Sequence, residues 1–181
     1  MERHRRRRMA ERNQGKRMKQ EYVLLDTSFF IRLLNPEDKL HSNATGYFQY
    51  FLEHDIKPKI STIALAEFCV KGNITDLPLQ NIMVLPFNYD HAVRAGKMMN
   101  LVYKEKQKRG AALSNRVIIP NDTKMFAQAD VEETIGYYAT ADVESRKIYE
   151  IIKSGGSGIT FKFIDINTPY TQTFGMLDFS T

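Results

Sequence analysis

The chain has 181 residues, 43% of them hydrophobic and 11% aromatic, and a formal net charge of +5 at neutral pH. That length and apolar content suit one globular domain with a substantial core; no apolar run approaches the roughly 20 residues a membrane span needs, and no secretory signal follows the basic start. Cys69 is the sole cysteine, which excludes an intrachain disulfide and fits a reducing, cytoplasmic setting.

The charge is unevenly spread. Residues 1–20, MERHRRRRMAERNQGKRMKQ, hold nine Lys and Arg against Glu2 and Glu11, which leaves 17 basic and 19 acidic residues in 21–181. The body is therefore slightly acidic, and the basic balance belongs to a tail with almost nothing to bury, expected to be disordered. Two readings of the tail stand. The preferred one is a solvated extension, with Met9 or Met18 as a later start; the other is an arm that grips nucleic-acid phosphates by counterion release.

Tyr22 to Phe30 is apolar almost throughout rather than alternating, which predicts a strand covered on both faces. Residues 40–54 place Leu40, Ala44, Tyr47, Phe48, Phe51 and Leu52 on one helical face. A short strand, Pro58 to Ser61, leads to a helix from Thr62 that ends by Gly72. Ile82 to Leu85 is a third strand. Residues 90–109 form a helix with Ala92, Ala95, Met98, Met99 and Val102 inward and a charged end, followed by a long segment to residue 120. Pro120-Asn121-Asp122 opens another helix, with Met125, Phe126 and Ala129 buried. Tyr137 to Ala141 is a strand, Val143 to Lys153 a helix stopped by SGGSG, and FKFIDI the last strand. SGGSG follows a helix and lacks the GK[ST] ending, so it is a turn rather than a phosphate loop. Strands separated by helices predict an α/β, three-layer fold with a central, mainly parallel sheet over residues 21–181.

Four carboxylates stand out. Asp26 ends the first strand, where active sites of open parallel sheets gather, with Thr27 and Ser28 placed to orient it. Glu67 lies on the stripe of Ile63 and Val70, where an unpaired carboxylate is costly. Asp122 starts a helix, and Asn121 is available to cap it instead. Asp142 follows a later strand. Asp26, Asp122 and Asp142 each also suit a plain capping role. Convergence of all four would raise at least one pKa strongly unless a cation were present, and hard oxygen ligands of this kind suit Mg²⁺ or Mn²⁺.

DTSFF, AEF, NDTKMFAQA and TAD, in this order, resemble the PIN-domain ribonucleases, with the nearest likeness to the VapC-like toxins of bacterial toxin–antitoxin pairs. The resemblance covers residues 22 to about 168. It implies that Asp26, Glu67, Asp122 and Asp142 hold Mg²⁺ or Mn²⁺, with Ser28 and Thr140 as supporting hydroxyls. It also implies RNA as substrate, a small antitoxin as partner, and a homodimer. The long segment at 104–120 and the arginine tail depart from the family pattern.

The expected chemistry is metal-dependent hydrolysis of a phosphodiester. Arg32, Lys71, Arg116 and Lys124, near the motifs in sequence, are candidates to offset repulsion between the acids and RNA. His41, His54 and His91 lack metal-ligand spacing and are expected at the surface. Asp130 is read as a solvated or structural acid, Asp165 as a strand end, and Cys69 as a small buried residue. Two rivals remain: a PIN-like RNA- or protein-binding module without cleavage, and a phosphotransfer enzyme with Asp26 as nucleophile, which would favour a second Asp where Ser28 stands.

Overall fold

A computed structural model describes residues 22–108 and 120–175; the basic tail and Arg116 lie outside the described residues. Five strands form the sheet: β1 (Tyr22–Leu25), β2 (Lys57–Ser61), β3 (Met83–Leu85), β4 (Ile135–Thr140) and β5 (Lys162–Asp165). Their spatial order is β3-β2-β1-β4-β5, and every pairing is parallel. The chain thus moves outward from β1 to β3, then returns to lay β4 on the other side of β1. That reversal opens a crevice between the carboxyl ends of β1 and β4.

The helices are α1 (Thr27–Leu34), α2 (His41–Glu53), α3 (Thr62–Phe68), α4 (Tyr89–Lys108), α5 (Asn121–Val131), α6 (Val143–Ser154) and the short α7 (Tyr170–Thr173). Neighbours in β4 face opposite ways and show the two helical layers. Tyr138 meets Phe126 of α5 edge-on at 4.8 Å between ring centroids, whereas Tyr137 meets Phe174 after α7 at 6.1 Å. On the first side Phe126, Tyr138, Tyr149, Phe161 and Phe163 form one aromatic cluster. Tyr47, Phe51 and Phe174 close the second. Burial of so many large side chains is the main stabilising term.

The first strand is shorter than the sequence predicts. Strand geometry stops at Leu25, and the chain turns helical at Thr27 because the Asp26 carboxylate accepts from the Ser28 amide as an N-cap. The helix after β2 ends at Phe68 rather than near Gly72. This leaves Cys69 and Val70 exposed, contrary to the buried position expected of Cys69. Leu52 is half exposed and Ala92 lies on the outer side of α4.

His91, expected at the surface, is fully buried instead. Its Nδ1 accepts from the Asn88 amide at 3.1 Å, Nε2 faces Glu132 at 3.2 Å, and its ring packs on Phe87, so its polar atoms are satisfied inside. SGGSG forms a turn in which Gly156 and Gly158 take φ of 75° and 65°, as glycine allows. Asp130 is structural: it pairs with Arg94 at 2.6 Å and accepts from the Thr160 amide at 2.9 Å. Asp165 ends β5 and pairs with Arg146. Among the described residues no helix is long and apolar enough to cross a membrane.

Candidate active site

Asp26 sits where β1 gives way to α1, in the crevice beside β4. Its amide donates to the Ala139 carbonyl at 3.0 Å, carrying the β1–β4 ladder one residue further. Only 5% of the residue is exposed. Its Oδ2 accepts from Ser28 Oγ at 2.6 Å, Thr140 Oγ1 at 2.7 Å and the Ser28 amide at 3.3 Å. Ser28 Oγ also accepts from the Ala141 amide at 2.9 Å, pinning α1 to the loop after β4. Capping and site placement are therefore one arrangement: the cap fixes one carboxylate oxygen.

Glu67, in the last turn of α3, is half-buried and does not face the core. Thr27 Oγ1 donates to its Oε2 and Asn121 Nδ2 to its Oε1, both at 2.6 Å. Asn121 makes no cap. Pro120 holds the N-cap position, and Asn121 spends its amide on Glu67 while its Oδ1 accepts from Lys124 Nζ at 3.0 Å. Asp122, in the first turn of α5, is likewise free of a capping bond to its own helix. Asp142 is a true N-cap of α6, its Oδ1 accepting from the Glu144 amide at 2.8 Å, and it is exposed.

All four acids line one open cleft of about 1050 Å³, together with Ser28, Lys71, Asp76 and Asn121, against an apolar wall of Ile31, Leu34 and Val70. Their carboxyl groups feel one another. Burial pushes the Asp122 carboxyl up to about 7, aided by the charges of Asp26, Asp142 and Glu67, while the Ser145 hydroxyl pulls it down. Burial also raises Asp26; its bonds from Ser28 and Thr140 work against that, and Glu67 works with it.

Among the described residues no three Asp, Glu, His or Cys side chains stand close enough together to hold one ion between them. The acids ring an open cleft instead. That suits a hard divalent cation such as Mg²⁺, which keeps several waters and takes only one or two carboxylates with substrate phosphates. Burial first, and then the charges of Asp26, Asp142 and Glu67, keep a proton on Asp122 near neutral pH, and a cation would offset both. The donor set therefore fits the ion the sequence implies.

Of the four cations proposed from sequence, Lys71 lines the cleft. Arg32 is paired with Asp38 at 2.8 Å, and Lys124 is bonded to Asn121. Thr27, expected with Ser28 to orient Asp26, turns its hydroxyl to Glu67 instead, and Asn121 and Asp76 are site residues beyond those the sequence proposes. Thr27 and Asn121 carry a readable signal, since each adjoins a candidate acid; Asp76 carries none.

No protein-family profile and no curated protein matches the sequence. Solved structures do. VapBC2 from Rickettsia felis bound to a DNA fragment from their promoter superposes with a TM-score of 0.51 at 16% identity, over 80% of this chain and 99% of that one. DNA-bound VapBC from Salmonella typhimurium gives 0.48 at 15%, over 80% and 98%. VapC20 from Mycobacterium tuberculosis, a sarcin-ricin loop cleaving toxin, gives 0.45 at 14%, over 69% and 93%. The chain has the PIN-like α/β fold.

Proposed function

We propose that this chain is a Mg²⁺- or Mn²⁺-dependent endoribonuclease and the toxin of a toxin–antitoxin pair. The observation that carries the reading is the meeting of Asp26, Glu67, Asp122 and Asp142 on one cleft at the sheet's switch point. The fold shared with the Rickettsia felis VapBC2 structure supports the toxin assignment.

Asp26 and Asp142 would hold the cation directly, and Glu67 and Asp122 would complete the site or act through water. When bound, the cation supplies positive charge for the scissile phosphate and acidifies a water for attack. The chain's own residues set the geometry. Ser28 and Thr140 fix Asp26 through Oδ2. Thr27 and Asn121 clamp Glu67 from two elements. Lys71 offers a phosphate a positive partner at the cleft wall. An antitoxin, a second copy of the chain and a cytoplasmic setting complete the proposal.

The test is cleavage of a structured RNA by the purified full chain with Mg²⁺ or Mn²⁺. Cleavage that disappears in Asp26→Asn and on chelation supports the mechanism; cleavage that survives either removes it. Absence of cleavage by the wild type, with RNA or protein bound nonetheless, would favour the binding-module reading.

A further inference from the structure

The acidic cleft is a poor landing place for a long polyanion. Asp26, Glu67, Asp76, Asp122 and Asp142 line it against Lys71 as the one lining cation. Arg32 and Lys124, expected to offset the acids, are already bonded elsewhere. Phosphates on either side of the scissile one would therefore meet negative charge. A substrate of this kind needs cations next to the cleft, on a surface it can follow outward.

Such a surface begins one helical turn away. Asp142 caps α6 at the cleft, and the Arg146 amide donates to its carbonyl at 3.4 Å. Residues three and four apart share a helix face, so Asp142, Arg146, Glu150 and Lys153 follow one another down one side of α6. That side is about 16 Å long at 1.5 Å per residue. Beside it runs the free edge of β5. Between helix and edge lies a second hollow of about 370 Å³, where Arg146, Lys153 and Lys162 face a single acid, Glu150. The half-buried rings of Tyr137, Phe163 and Phe174 form part of its wall. Its cations are available. Lys153 and Lys162 pair with no carboxylate among the described residues; their ammonium groups lie 5.6 Å and 6.0 Å from the ring centroids of Tyr149 and Tyr137. Arg146 bonds Asp165 through Nη1 at 2.9 Å, and its side chain stays half exposed. A lysine on an edge strand also keeps other strands from pairing there, which accounts for Lys162 by itself. It does not account for Lys153, on a helix, lining the same hollow.

Resting on the reading of this chain as a ribonuclease, we infer that the hollow between α6 and the β5 edge binds the substrate beyond the cut, holding single-stranded RNA as it leaves the cleft past Asp142. Arg146 takes the phosphate nearest the cleft, and Lys153 and Lys162 those further along. Tyr137 and Phe174 offer ring surface to a base. Cations set among aromatic rings along a groove suit single strands, whose phosphates and base faces both stay open to contact.

The test is fluorescence anisotropy of the full chain in chelator, over a range of salt, with a labelled unstructured RNA of about 12 nucleotides. Wild type is compared with the double variant Lys153→Ala, Lys162→Ala and with Lys147→Ala, whose cation is paired with Glu144 and lies outside the hollow. Lys153 and Lys162 are exposed, so the double variant should melt with wild type. Its RNA dissociation constant should be several-fold weaker, and the slope of log affinity against log salt smaller by about 1.4, from two contacts at roughly 0.7 each. Lys147→Ala should bind as wild type does. With Mg²⁺ present, the double variant should raise KM and leave kcat unchanged, since the acids are untouched. Unchanged affinity and slope in the double variant, or an equal loss in Lys147→Ala, overturns this inference alone. A wild type that binds RNA through these lysines yet cleaves nothing keeps the surface and overturns the nuclease reading. A wild type that binds no RNA overturns both.

Discussion

Replacing Asp122 by Asn should make the protein more stable while abolishing its activity. In the folded chain the Asp122 carboxyl keeps its proton up to about pH 7, whereas the unfolded chain releases it near 3.8. Between those values the folded state binds more protons, so stability falls as pH rises through the window and the full penalty stands above it. A separation of about three pH units corresponds to ~4 kcal/mol at 1.36 kcal/mol per unit. The cleft is open to water, so solvent relaxation brings this to about 2–4 kcal/mol. The amide is nearly isosteric and carries no charge for Asp26, Asp142 and Glu67 to repel. In chelator at pH 8, Asp122→Asn should therefore melt about 5–15 °C above wild type, given roughly 2–4 °C per kcal/mol for a chain of this size. At pH 5 the folded wild type is already protonated here but the unfolded chain is not, so the gain should shrink to roughly a third and approach zero only near pH 4. Urea or thermal melts from pH 4 to 8 read both numbers. A variant no more stable at pH 8, or a gain that does not change with pH, would refute the claim that burial and the neighbouring acids keep a proton on Asp122.

The fold outside the cleft makes further predictions. Arg94→Ala should cost about 3–5 kcal/mol in a urea melt, because it strands Asp130, whose side chain is 8% exposed, and frees the Ser157 carbonyl; Asp130→Asn in the same background should recover part of the loss. Gly46→Ala sets helix propensity against packing. The added Cβ would stand 2.8 Å from the Tyr170 ring, overpacking worth about 1–3 kcal/mol against a helical gain of ~1, so a net loss of about 1 kcal/mol is expected by chemical denaturation.

Much of the architecture could be read from residue order alone because strands and helices alternate with clear breaks. Asp26 and Asp142 were legible as site candidates since each closes a strand, and in a parallel sheet with a reversal that is where a crevice forms. What stayed hidden has physical causes. VLLDTSFFI is apolar on both sides of Asp26, so hydrophobic pattern could not show that strand turns to helix there; only the short-range cap does. Glu67 looked core-facing from its neighbours Ile63 and Val70, yet Val70 is 77% exposed, because helix α3 stops at Phe68 and its last stripe forms the cleft wall. His91 and Glu132 meet across α4 and the end of α5, a pairing no local spacing encodes. Asn121, expected to cap α5 in place of Asp122, caps nothing: Pro120 holds the N-cap position and the Asn121 amide goes to Glu67.

The bond from Thr140 to Asp26 joins positions 114 apart in the chain. Before β4 docks against β1, the two halves of the acidic ring belong to separate stretches of polymer with nothing to bring them together. Synthesis must therefore run past β4 before the ring can close, and a chain interrupted earlier, however much of β1 and α3 it contains, carries its acids unassembled. On the reading proposed above, cutting power would arrive in one step, at the end of folding, and not by degrees.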